Sequence, residues 1–209
     1  MQGIYLVTGN CSHHNIETVV TQAIKAGVCC VQLREKNADT RTFLDRAIRL
    51  KSLLARTCTP LIINDRVDIA LAAGADGVHL GQRDMPYARA RELLGKNALI
   101  GLSVETWEDV DQAQDLDLAY IGVSPIFSTP TKTDTKSPWG LEGLARIKEF
   151  SRHTLVAIGG LNASNAGKIV RAGADAIAVV SAICGSDDPL GATKRLNDEY
   201  KRVLQEKKE

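Results

Sequence analysis

The chain carries almost no net charge: 26 Lys and Arg against 25 Asp and Glu leave +1 over 209 residues. A protein this close to neutral offers no general field to nucleic acid or to an anionic membrane surface, so any anion must be met by local clusters. Also missing is any run near the ~20 apolar residues that a membrane span needs, and the opening MQGIYLVTGN has no basic stretch before an apolar one. The cysteines, Cys11, Cys29, Cys30, Cys58 and Cys184, include no C-x-x-C pair. An odd, unpatterned set reads as reduced, mostly buried thiols rather than zinc ligands or disulfides, and the cytoplasm is the expected compartment. Cys29 and Cys30 adjoin in an apparent strand and are expected on opposite faces. No linker or low-complexity segment divides the chain, and no Ser-His-Asp or Cys-His spacing indicates a covalent nucleophile.

What is present is alternation. Strand-like runs fall at Ile4–Val7, Cys29–Leu33, Leu61–Asn64, Gly77–Leu80, Leu99–Leu102, Tyr120–Val123, Leu155–Ile158 and Ala176–Val180. Amphipathic segments lie between or after them: Ile16–Ala26, Thr40–Ala55, Trp107–Gln114, Leu144–Phe150, Ser164–Ala172 and Leu190–Gln205. Glycine precedes three of the strands, at Gly27, Gly74 and Gly173, where a left-handed helix terminus turns the chain straight into the next strand. Eight such units imply a parallel sheet with helical crossovers. Closure gives a single (β/α)8 TIM barrel over residues 1–209, slightly short of the typical ~250 residues. An open, doubly wound sheet is the competing arrangement, but a glycine-rich phosphate loop after the first strand is missing.

In such a barrel the loops after the strand ends carry function. Gln32 and Arg34 share a strand face by period two and Lys36 continues that direction; a guanidinium fork beside an ammonium suits a diphosphate, and the bland alternative is a surface ion cluster with Glu35. Asp65 follows Asn64 at the next strand end and Asp84 follows the one after, so two carboxylates on neighbouring strands can share Mg²⁺, which takes one or two carboxylates plus water and phosphate. Helix capping is their structural alternative. Ser103 ends the fifth run as a donor. Thr129, Thr131 and Lys132 sit in the polar segment Phe127–Gly140, a covering loop by its length and composition. Gly159-Gly160 and Val180-Ser181 end the seventh and eighth strands, where barrels of this type bind phosphate on backbone N–H groups. His79 reads as a satisfied interior residue, and His13 and His14 as exposed.

The segments YLVT, QLREK, LIINDRVDIALAAGADGVHLGQRDMP, IGLSVET, STPTK, AIGGL and AVVSAI, taken together, resemble the thiamine-phosphate synthases over nearly the whole chain. That resemblance implies condensation of an aminopyrimidine diphosphate with a thiazole phosphate, releasing pyrophosphate. It implies Gln32, Arg34, Lys36, Asn64, Ser103 and Lys132 on the pyrimidine diphosphate, with Arg34, Lys36, Ser103 and Lys132 as the catalytic set. It further implies one Mg²⁺ on Asp65 and Asp84, and Thr129, Pro130, Thr131, Gly160, Val180 and Ser181 on the thiazole phosphate. Both partners are small molecules, and a homo-oligomer fits the fold. Two positions depart from the family pattern: Asn10, where an acid is common, and Arg83, where Glu is common. Three rival readings are a thiazole tautomerase, a sugar-phosphate isomerase or epimerase, and a non-catalytic sensor of thiamine intermediates. The tautomerase has no use for the diphosphate residues, and the isomerase needs an acid/base pair that no residues supply by spacing.

Overall fold

The β-branched runs pair in chain order and then meet end to end. The computed structural model describes residues 1–129 and 136–207. In it β1 (Gly3–Val7), β2 (Cys30–Leu33), β3 (Leu61–Asn64), β4 (Gly77–Leu80), β5 (Leu99–Val104), β6 (Tyr120–Val123), β7 (Leu155–Ile158) and β8 (Ala176–Val179) form a closed parallel barrel. The seam joins Gly3–Leu6 of β1 to Ala176–Val179 of β8. Between strands run α1 (Ile16–Lys25), α2 (Thr40–Leu54), α3 (Val67–Ala73), α4 (Tyr87–Leu94), α5 (Trp107–Ala113), α6 (Gly140–Phe150) and α7 (Ala166–Arg171). A single turn, α8 (Ser181–Cys184), and the long α9 (Pro189–Glu206) follow β8.

Local chemistry sets these boundaries. Asn15 and Asp39 accept N-terminal amide hydrogens of α1 and α2, and Thr106 with Asp109 forms a reciprocal capping box on α5. Of the three glycines before strands, Gly74 is the left-handed terminus of α3, whereas Gly27 and Gly173 follow right-handed caps at Ala26 and Ala172 and take positive φ one residue later. Strand β5 runs on to Val104, which brings Ser103 into the strand itself. Helix α6 begins at Gly140 rather than Leu144, because Gly140 N–H is held by Ile126 O at 3.0 Å.

Period two in the strands divides the core. Ile4, Leu6, Val31, Leu33, Ile63 and Val78 face the helices, while Tyr5, Val7, Cys30, Ile62, Tyr120, Val156, Ala176 and Ala178 fill the barrel. Cys29 corrects an expectation: it lies just before β2, and both it and Cys30 pack against the interior cluster instead of on opposite faces. The free thiols are also less uniformly buried than composition suggests, since Cys58 is exposed and Cys11 and Cys29 are half-buried.

Interior volume is shared between large and absent side chains. A Cβ on Gly101 would lie 2.1 Å from Cζ of Tyr120, whose ring is fully buried. Gly101→Ala is therefore expected to lower the unfolding free energy by about 1–3 kcal/mol through overpacking. Urea denaturation monitored by circular dichroism reads this directly; an unchanged midpoint would contradict the placement of Tyr120.

Candidate active site

All strands point their C-terminal ends to one mouth, and there a cavity of about 760 Å³ opens into the barrel. Gln32, Arg34, Lys36, Asn64, Asp65, Asp84, Ser103, Thr129, Gly160, Val180 and Ser181 all line it. Pro130, Thr131 and Lys132 lie outside the described residues. The two ends of that segment are pinned side by side: Phe127 N–H donates to Gly159 O at 3.1 Å and Trp139 N–H to Pro125 O at 2.9 Å.

The cationic wall comes from the end of β2. Glu35 pairs with Arg46 of α2 at 2.7 Å. Arg34 and Lys36 face the cavity, and the Arg34 backbone is held by Thr8 Oγ1, accepting its N–H at 2.9 Å. Arg83, one of the departures from the family pattern, also reaches the cavity and adds a further cation to the rim; Asn10 is exposed.

The carboxylates meet beside that wall. Register Asn64↔His79 and the bond from Asp65 N–H to His79 O, 2.8 Å, tie the end of β3 to β4. Asp65 adopts φ 64, the left-handed region an L residue occupies at a cost of about 1–3 kcal/mol, which concentrates at functional sites. Lys36 Nζ donates to Asp65 Oδ2 at 2.6 Å, and Asp84 Oδ2 accepts from Gly81 N–H at 2.7 Å. Neither carboxylate caps a helix: the N-cap residues of α3 and α4 are Arg66 and Pro86. Burial and the neighbouring Asp65 carboxyl raise the Asp84 pKa, against the opposing pull of Gly81 N–H and Lys36. Among the described residues no group of three or more His, Cys, Asp or Glu could hold a metal. Two crowded carboxylates nonetheless suit a hard divalent ion that completes its shell with water and phosphate oxygens.

Below the mouth runs a polar ladder that sequence reasoning missed. Gln32 Nε2 donates to Tyr5 Oη at 2.9 Å, Tyr5 and Tyr120 hydroxyls are 2.8 Å apart, Tyr120 Oη lies 3.0 Å from His79 Nδ1, and His79 Nε2 lies 2.8 Å from Ser103 Oγ. These contacts link Gln32 through Tyr5, Tyr120 and His79 to Ser103. With the His79 proton on Nε2, donation runs one way along the chain and the Ser103 hydrogen is available to a ligand. His79 is a satisfied residue, as expected, but it also lines the cavity and supports Ser103. The available signal was period two: Tyr5 shares the inward face of β1 with Val7, and His79 follows Gly77 on β4. His13, at the β1 end, is exposed as expected, whereas His14 is half-buried against Asp187 O at 2.9 Å.

Opposite the cations, Gly159 and Gly160 take φ 107 and 69, conformations that side chains avoid. A Cβ at Gly160 would meet Phe127 Cβ at 2.9 Å and Ser128 O at 3.0 Å, so close packing under the β6 loop requires glycine whether or not an anion binds. Val180 and Ser181 adjoin across the mouth, where α8 starts without a side-chain cap.

The sequence profile described as thiamine monophosphate synthase matches residues 4–183. Thiamine-phosphate synthase of Albidiferax ferrireducens is 54% identical over 195 residues, covering 92% of this chain and 89% of that protein. The one from Leptospira biflexa is 52% identical over 206 residues, covering 96% and 98%. Among solved structures, thiamine phosphate pyrophosphorylase from Pyrococcus furiosus superposes with a TM-score of 0.88 at 35% identity, covering 97% of each chain. A 3-hexulose-6-phosphate synthase of Salmonella typhimurium, at 15% identity and TM-score 0.74 over 97% and 100% of the chains, shares the barrel alone. With a profile match across most of its length and relatives at half identity, the chain belongs to the thiamine monophosphate synthase family of transferases.

Proposed function

We propose that this cavity condenses the diphosphate of a 4-amino-5-hydroxymethyl-2-methylpyrimidine with the phosphate of a 4-methyl-5-(2-hydroxyethyl)thiazole, giving thiamine phosphate and pyrophosphate. One observation carries the reading: within a family of this activity, the described residues expected for both ligands line a single cavity, with cations and paired carboxylates on one wall and a glycine-lined anion cup on the other. A cavity of about 760 Å³ falls in the range of small-molecule sites, about 300–1,000 Å³.

The chemistry needs charge control more than proton transfer. The methylene carbon loses its bond to the diphosphate oxygen, which leaves with the electron pair; the aminopyrimidine ring supplies electron density to the resulting cation. The thiazole nitrogen then donates its lone pair to that carbon and becomes cationic. No proton has to leave, so no general base is required. Arg34, Lys36 and, from the sequence, Lys132 hold the diphosphate and offset the charge that accumulates on it, while Ser103 donates from the top of the ladder. Asp65 and Asp84 would hold Mg²⁺, which when bound would supply positive charge to the leaving group. The cup at Gly160, Val180 and Ser181, with Thr129 to Thr131, fixes the thiazole so that its nitrogen faces the methylene carbon.

Purified protein mixed with both substrates should form thiamine phosphate and pyrophosphate in step, and only with a divalent cation. Saturable binding of both without product would instead select the sensor reading.

Arg34→Ala is expected to keep the fold and lower turnover by about 10²–10³, the usual loss for one transition-state donor. Steady-state kinetics beside a circular dichroism spectrum checks both halves, and near-normal turnover would remove Arg34 from the catalytic set.

Asp84 yields a prediction of opposite sign for stability. A carboxyl raised in the folded state contributes stability that is fully present below its unfolded value, about 3.9, and lost as pH rises through the folded value. In metal-free buffer at pH 7, Asp84→Asn should therefore raise Tm, and the gap should shrink as pH falls toward 4. The same variant should lose both turnover and the Tm increase that Mg²⁺ with pyrophosphate gives the natural protein. Thermal scans across pH decide it; a lower Tm at pH 7 would contradict the crowded-carboxylate account.

A further inference from the structure

The polar ladder has two ends, and each opens on the cavity. Gln32 is 5% exposed and lines the cavity from β2, while Ser103 lines it from β5. Among the described residues the Gln32 amide bonds through Nε2 alone, to Tyr5 Oη at 2.9 Å. The one fully buried side-chain nitrogen or oxygen without a partner, again among the described residues, is Trp139 Nε1, so Gln32 Oε1 is left to the cavity as an acceptor. Between the two ends, packing fixes the rings. Tyr120 stacks on His79 at 5.5 Å and 14° and meets Tyr5 edge-on at 5.7 Å and 79°. A Cβ on Gly122 would lie 3.0 Å from His79 Cε1.

Hydrogen counting restricts what such a ladder can do. Burial raises the Tyr5 and Tyr120 pKa values well above the ordinary range, so each hydroxyl keeps its single hydrogen at neutral pH. A neutral imidazole likewise donates at one nitrogen and accepts at the other. Two orders therefore use every link without stranding a buried hydroxyl hydrogen. In the first, donation runs from Gln32 Nε2 to Ser103 Oγ, Gln32 presents Oε1 to the cavity, and the Ser103 hydrogen is available to a ligand. In the second, every link reverses. Ser103 then donates to His79 Nε2 and Tyr5 donates to a flipped Gln32 amide, so the cavity meets an NH2 donor at one end and a lone pair at the other. The amide orientation in the structure is that of the first order.

We propose that Tyr5, Tyr120 and His79 are positioning residues that couple the two ends, so that the pyrimidine substituent met by Gln32 sets whether Ser103 can donate to the diphosphate of the same molecule. An exocyclic amine donates to Gln32 Oε1, which keeps the first order and leaves the Ser103 hydrogen for an anionic oxygen. A 4-oxo group accepts instead. It requires the flipped amide and the second order, which turns a Ser103 lone pair toward the anion. The selected substrate class is thus an aminopyrimidine diphosphate, and the oxo form is refused at a point remote from the substituent itself. Gln32 and Ser103 stand on β2 and β5, and the link between them passes through side chains of β1, β6 and β4. The coupling rests on the pyrimidine site described under Proposed function; it does not depend on the condensation step.

Isothermal titration calorimetry with Mg²⁺ and without thiazole phosphate measures binding apart from turnover, using the 4-aminopyrimidine diphosphate and its 4-oxo analogue. The natural protein should prefer the amino form. Tyr120→Phe keeps the ring beside Gly101 but breaks the ladder, and should shrink that preference by at least ~5-fold, the lower end of ordinary couplings between sites. In the natural background the losses from Gln32→Met and Ser103→Ala should be non-additive by at least ~5-fold; in the Tyr120→Phe background they should multiply to within ~2-fold. Tyr5→Phe breaks a different link and should give the same two changes, which keeps the test intact if circular dichroism shows Tyr120→Phe unfolded. An unchanged preference in the Phe proteins, independent losses at Gln32 and Ser103 in the natural protein, or a coupling that survives loss of the tyrosine hydroxyl would each overturn the relay and leave the pyrimidine site in place. A natural protein that binds neither diphosphate overturns the site and the relay together. One that binds with the expected ratios yet makes no thiamine phosphate overturns the proposed reaction and supports the relay.

Discussion

Closure between β1 and β8 is the constraint on which the site depends. Parallel pairing sends all eight C-terminal strand ends to one edge, and the seam between Gly3–Leu6 and Ala176–Val179 curls that edge into a ring around one mouth. An open sheet with the same order would leave the ends of β2 and β8 on opposite sides of the molecule. In the barrel, the cations after β2 and the backbone cup after β7 and β8 instead face each other over a single cavity. In the proposed reaction each substrate would be anchored by its own anionic group, and the reacting carbon and nitrogen would meet between the anchors. That division suits a reaction whose difficulty lies in holding charge and position rather than in moving protons.

The interior of the barrel is part of the same apparatus. Gly101 leaves room for Tyr120, and Tyr120 in turn joins Tyr5 to His79 and so connects Gln32 on β2 with Ser103 on β5. A buried network of this kind is stabilising only when every member has a partner, and here each member has one. The strain at Asp65 and the crowding at Asp84 belong to the opposite category, local costs held in place by the β3–β4 ladder. Stability and function are therefore unevenly distributed: the walls are apolar and tightly packed, and the rim is charged and strained.

Much of this was legible in the chain because barrel architecture converts periodicity into position. Alternation fixed which strand ends share a mouth, and every described site residue read from those ends reaches the cavity. Legibility failed where the deciding contact is distant in sequence. Nothing near Tyr5 in the chain reveals that it bonds Tyr120, and nothing near Cys29 reveals that it joins Cys30 at the interior cluster. The glycine pair gives a subtler lesson: Gly159-Gly160 read as a phosphate cup, and packing against Phe127 and Ser128 accounts for the absence of side chains equally well. Helix capping, the structural alternative for Asp65 and Asp84, was removed only by seeing that Arg66 and Pro86 hold those cap positions.

In the proposed reaction Asp65 and Asp84 share one divalent cation against a diphosphate held by Arg34 and Lys36. A crystal of the protein grown with Mn²⁺ and pyrophosphate tests it most directly, through anomalous scattering from the metal. One peak is expected at coordination distance, ~2.1 Å, from oxygens of both carboxylates and of the diphosphate, with the Lys36 ammonium shifted from Asp65 to the phosphate. A diphosphate bound with no metal at the carboxylates, and with Lys36 still on Asp65, would contradict it.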